Sequence, residues 1–109
     1  MIANLSGTPS RLCQSALTTS PATIYTALSD GRTAILDVMV VNTTSAPLNV
    51  TMYIGSAATA NAFGFYSTVI AAYSSLQWSG FQILNANEAF LALGSGLGLT
   101  VTISGLERV

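Results

Sequence analysis

The chain has 109 residues and a mass of 11.2 kDa, room for one hydrophobic core and none for a separate catalytic lobe. Its residues are 50% hydrophobic and only 6% charged, against roughly 25% charged in an average soluble domain. A net charge of −1, with three scattered arginines and no lysine, gives no basic patch for a phosphate backbone and argues against a nucleic-acid partner.

The charged set is Arg11, Asp30, Arg32, Asp37, Glu88, Glu107 and Arg108. A folded chain of this mass exposes on the order of 5,700 Å², so each charge serves about 800 Å², the area one partner gives to a standard interface. That is sparse for a free monomer. Between Val38 and Asn87 no residue is charged, yet Ser, Thr, Asn or Gly interrupts the apolar positions every few residues. No run of about 20 apolar residues suits a membrane span.

Residues 1–10, with Gly7, Thr8 and Pro9 close together, read as a flexible arm before a single domain at 11–109. The arm has neither a basic nor an apolar region of the kind that makes a secretion signal, so synthesis and folding in the cytoplasm are expected. Residues 11–19 and 23–28 are two short strands separated by Ser20 and Pro21. Asp30-Gly31, within the turn at 29–32, suits the positive φ angles of a two-residue hairpin loop.

The stretch from Thr33 to Gly55 organises the rest: two long strands joined by a polar connection that ends at Pro47. Leu48, Val50, Met52 and Ile54 alternate with Asn49, Thr51 and Tyr53, the pattern of a strand with one buried face. The preceding strand departs from it. Leu36, Val38 and Val40 take the core face, while Ile35, Met39 and Val41 fall on the other with only Asp37 among them. A strand apolar on both faces needs cover on both, and a second subunit or a larger assembly is expected to supply it.

Residues 56–62 form a loop or one helical turn, and 63–71 a strand with Phe63, Phe65 and Val69 on one face and Tyr66, Thr68 and Ile70 on the other. Leu76 to Ser79 make a short strand ending at Gly80, continued by 81–84 beyond a bulge. Strands at 88–93 and 97–104 complete the chain. Seven to nine strands at this spacing predict an all-β fold, an antiparallel β-sandwich of jelly-roll type.

Little here carries catalytic chemistry. Gly94-Ser95-Gly96-Leu97-Gly98 precedes a β-alternating run rather than the helix that a phosphate cradle needs, so it is a hairpin turn. The four acids are isolated in sequence, histidine is absent, and Cys13 is the single cysteine, best read as a buried thiol. No cofactor, metal or enzymatic activity is expected. Tyr25, Tyr53, Tyr66, Tyr73 and Trp78 suit packing in core and interface, or alternatively a glycan-binding groove. The candidate subunit interface comprises Ile35, Met39, Val41, Tyr53, Phe63, Phe65 and Trp78.

Gly31-Arg32-Thr33-Ala34-Ile35-Leu36 opens a strand, Val41-Asn42-Thr43-Thr44 closes it, and Leu48 to Ile54 follow as its partner. Leu76-Gln77-Trp78-Ser79-Gly80 then precedes Ile83-Leu84-Asn85-Ala86-Asn87-Glu88, and Leu99-Thr100-Val101-Thr102-Ile103-Ser104-Gly105-Leu106-Glu107 ends the chain. In this order the segments resemble the small β-sandwich virion proteins of tailed bacteriophages, which include capsid decoration (cement) proteins and neck or tail accessory proteins. The resemblance implies a homo-oligomer, dimer or trimer, that binds the major capsid protein or other virion subunits and resides in the virion, with no membrane partner.

Overall fold

The computed structural model describes residues 9–108. Of the predicted arm, positions 1–8 lie outside the described residues, and Ser10 already opens the first strand. Eight strands follow: β1 (Ser10–Ala16), β2 (Ala22–Thr26), β3 (Arg32–Asn42), β4 (Leu48–Ile54), β5 (Thr68–Ile70), β6 (Ser75–Leu84), β7 (Ala89–Gly94) and β8 (Leu99–Arg108). A 3-10 turn at Thr59–Asn61 interrupts the loop after β4.

Sheet A has the order β1-β8-β3-β6 and sheet B the order β2-β7-β4-β5, every pair antiparallel. β1 pairs with β8, β2 with β7, β3 with β6 and β4 with β5, so the chain is one long hairpin with its tip between β4 and β5. Rolling that hairpin up brings β8 against β3 and β7 against β4, which is the jelly roll.

This winding keeps only the β4–β5 connection within a sheet, and three expectations change with it. The Asp30-Gly31 turn is not a hairpin: it carries the chain from β2 in sheet B to β3 in sheet A. The glycine loop at 95–98 likewise crosses, from β7 to β8. The two strands of the Thr33 to Gly55 stretch lie in opposite sheets. Residues 27–28 lead the chain over the end of the sandwich instead of into a tight loop, fixed by Ala27 N–H to the Glu88 carbonyl (2.9 Å) and by Asn87 N–H to the Leu28 carbonyl (3.2 Å).

The core fills the space between the sheets. Sheet A sends in Ile35, Val38, Val40, Leu84, Leu99, Val101 and Ile103, and sheet B meets them with Val50, Met52, Ile70, Phe90 and Ala92. Burying each large side chain contributes about 1.5 to 3 kcal/mol, so these strands are held chiefly by what they sandwich.

β3 does not keep strict alternation. Its register against both neighbours shifts between Ile35 and Asp37, and β1 shifts between Arg11 and Cys13 at the same level of β8. The extra residue in each bulge reverses the parity of everything beyond it. Ile35 is therefore fully buried beside Val38 and Val40, and Leu36 sits half-buried in the bulge. The predicted outer face loses Ile35 and keeps Met39 and Val41. The bulge expected after Gly80 lies opposite, where Ser79 pairs with Asp37 and Gln82 with Ile35. At this level a Cβ on Gly105 would stand 2.0 Å from the Ala34 carbonyl oxygen, so only glycine lets β8 close on β3.

The predicted strand at 63–71 shortens to Thr68–Ile70, because Gly64 (φ 73°) and Ser67 (φ 46°) turn the backbone out of the extended region. The turns also change its faces. Phe65 and Ile70 point inward while Val69 is 58% exposed.

Candidate interaction surfaces

Inside the sandwich, polar side chains serve the loops. Asn42, fully buried at the end of β3, donates from Nδ2 to the carbonyls of Ala46 (2.8 Å) and Ile70 (3.0 Å). Its Oδ1 accepts from Thr44 N–H (2.9 Å) and from the Thr44 hydroxyl (2.7 Å). One amide thus ties the β3–β4 loop to the end of β5. At the opposite end Tyr25 donates to Glu107 and shares a 3.0 Å hydrogen bond with Thr33. Burial, then the Glu107 carboxylate, push the phenol up to about 12, so it stays protonated and stitches β2 of one sheet to β3 and β8 of the other. The half-buried Cys13 thiol donates to the Ile24 carbonyl at 3.0 Å, and burial raises its pKa, which disfavours the reactive thiolate.

Two open clefts have walls already used by local structure. One of about 360 Å³ lies between Ile54, Phe63, Gln82 and Glu88; there Asn61 caps the Ser56 backbone and Glu88 accepts from Asn85 N–H (2.9 Å). The other, of about 230 Å³, has Thr51 accepting from Ser67 N–H and Ser95 accepting from Asn49 N–H, both at 2.9 Å. Among the described residues no three of His, Cys, Asp or Glu cluster as metal ligands would.

The seven residues of the predicted interface fall in different environments. Ile35 and Phe65 are core residues of their own chain. Phe63 and Trp78 pack edge to face, ring centroids 4.7 Å apart, against the core margin, with Phe63 also on Phe90 at 5.8 Å. Tyr53 lies on the outside of sheet B, and Met39 and Val41 on the outside of sheet A. The tyrosines and Trp78 are correspondingly dispersed and do not line one groove.

Charge, in contrast, is sorted by the fold. Asp30, Arg32, Glu88, Glu107 and Arg108 gather where the β2–β3 and β6–β7 turns meet the end of β8. The other end is built from the loops at 17–21, 43–47, 71–74 and 95–98, and none of their residues is charged. These loops brace one another: Thr43 N–H to the Gly98 carbonyl (2.9 Å), Tyr73 N–H to the Thr44 carbonyl (3.1 Å), Gly94 N–H to the Thr18 carbonyl (2.9 Å). On this rigid end Tyr73 and Leu97 are each 73% exposed. Tyr73 is held at φ 55°, a left-handed conformation that a bulky residue rarely adopts. The uncharged surface continues onto the outside of sheet B through Asn49, Val69, Leu93, Tyr53 and Leu91.

Sequence reasoning placed Tyr73 among the aromatics of core, interface or groove and Leu97 in the last strand, and did not see the two as exposed on one end. The signal was present: a large apolar residue between glycines at 96 and 98, and an aromatic beside two serines, stand in turns with no core to reach.

No protein-family model matches this chain, and no curated protein matches it in sequence. Among solved structures it is similar to a chain from Bacillus endospore appendages, described as a family of disulfide-linked pili, with a TM-score of 0.50 and 18% identity. The match covers 93% of this chain and 88% of that one. At that identity the likeness is one of fold, and it agrees with the all-β sandwich described above.

Proposed function

We propose that the chain is a non-catalytic structural subunit that seats on neighbouring proteins of a large assembly through its uncharged loop end and the adjoining outside of sheet B. The segregation of charge supports this reading most directly. A surface that must only stay soluble gains from charges spread over it, whereas here five of the seven gather at one end. The opposite end instead shows two large exposed side chains, Tyr73 and Leu97, on loops whose backbones brace one another, an arrangement suited to an interface anchor. The finer reading is a capsid decoration (cement) protein of a tailed bacteriophage, made in the host cytoplasm and clamping major capsid subunits in the virion, with a tail or neck accessory protein next.

The shared fold with the endospore appendage chain favours a second reading, a fibre or appendage subunit. Cys13 is the only cysteine in these 109 residues, and one thiol can join a pair but not link a polymer, so the contacts that these residues make in such a fibre would be non-covalent.

Particles purified on a density gradient from the strain that encodes the chain provide the test, with its copy number counted by mass spectrometry. A fixed stoichiometry with the major coat protein is expected. Recovery in a separate filament fraction selects the second reading, and recovery only among free soluble proteins contradicts both.

A further inference from the structure

We infer that two copies of this chain pair face to face through the outside of sheet A, about a two-fold axis that runs along β8. This deepens the assembly reading and rests on it, since it names how subunits meet one another rather than what they sit on.

Three rungs above the bulge make up the face. Arg11, Ser104, Asp37 and Ser79 form the first, Gln14, Thr102, Met39 and Gln77 the second, and Ala16, Thr100, Val41 and Ser75 the third, each read across β1, β8, β3 and β6. Side-chain bonds confirm the outward set: Arg11 donates to Gln14 (3.3 Å), while Gln77 and Ser79 both donate to Asp37. Arg11 and Asp37 are the only charges in these rungs. They stand at one level on the two strands that flank β8, each about 4.8 Å from it.

That placement is self-complementary. A two-fold axis along β8 lays β1 of the second copy over β3 of the first, so Arg11 of each copy faces Asp37 of the other. The same operation sets Val41 over Ala16 and Met39 over Gln14, twice each. Along the axis itself only Thr100, Thr102 and Ser104 oppose themselves, and such small side chains let two sheets approach. The alternative axis, across the strands through the middle rung, sets Asp37 against Val41 and Arg11 against Ala16, leaving both charges unmatched. Electrostatic matching thus selects one geometry. Arg32 occupies the last rung beyond the bulge, outside this pattern.

Three rungs about 6.8 Å apart on four strands offer less than the ~800 Å² per partner of a standard interface. Pairing is therefore weak in dilute solution and reinforced by attachment to a common assembly.

The test is sedimentation equilibrium of the full chain from micromolar to millimolar concentration, with Arg11→Asp, Asp37→Arg and the double reversal compared with wild type after thermal unfolding shows all to be folded. Each single reversal is expected to weaken dimerisation at least about tenfold, and the double reversal to return it to within about threefold of wild type. Small-angle scattering of the dimer should keep a longest dimension near the 47 Å of one subunit, since the long axes lie side by side. A wild type that stays monomeric throughout, single reversals that pair normally, or a folded double reversal that stays dissociated would each overturn the inference. Pairing in a protein that never bands with particles leaves the inference standing and removes the assembly reading; banding by a protein that never pairs does the reverse.

Discussion

The amide of Asn42 uses all four of its hydrogen-bonding positions while fully buried, which makes it the most constrained polar residue in the sandwich. An aspartate there would keep the shape and both acceptor bonds from Thr44, but would lose both donors and aim a charge at the Ala46 and Ile70 carbonyls. Asn42→Asp is expected to lower stability by about 3 kcal/mol or more, read from the denaturant midpoint, with the deficit shrinking in acid as the carboxyl protonates. An unchanged midpoint would mean that the loops at 43–47 and 71–74 hold themselves without the amide. Tyr73 presents the converse case. Its left-handed backbone costs on the order of 1 to 2 kcal/mol, and an exposed side chain returns nothing to the folded subunit for that cost, so the return is sought outside the subunit.

At the scale of the element, alternation decided most of the fold and bulges decided the rest. The strand at 48–54 was legible to the residue because Leu48, Val50 and Met52 obey period two without interruption. The faces of β3 were not, since one extra residue at Leu36 flips Ile35 inward, and nothing in an apolar run marks where a bulge falls. Turn chemistry told where the chain reverses but not between which sheets: Asp30-Gly31 looks the same whether it joins neighbours or crosses the sandwich. Of the residues expected at an interface, Met39 and Val41 lie outside while Ile35 and Phe65 lie within, for the same reason. A pair of substitutions measures this parity. Ile35→Ala opens a cavity in the core and is expected to cost about 2 to 5 kcal/mol, whereas Met39→Ala on the outer face should cost under about 1 kcal/mol. Equal costs in urea unfolding would restore the unbulged assignment.

Over the whole molecule, the jelly roll converts a chain with few charges into a body with two different ends about a strand length apart. That sorting follows from topology: loops far apart in sequence, at 17–21, 43–47, 71–74 and 95–98, meet at one end, and their shared lack of charge becomes a surface only when they do. No single stretch of sequence shows it. Contacts made there should resist salt, because apolar burial is not screened as exposed ion pairs are. Tyr73→Gly offers the most direct test of the seating surface, because it separates the two demands on that residue. Glycine adopts φ 55° without strain, so the isolated subunit should gain about 1 kcal/mol of stability in thermal or denaturant unfolding. The same change removes an anchor from the uncharged end, so the copy number of the variant in gradient-purified particles should fall well below wild type. A variant that is more stable yet poorly incorporated is the predicted result; incorporation at the wild-type copy number would contradict the account.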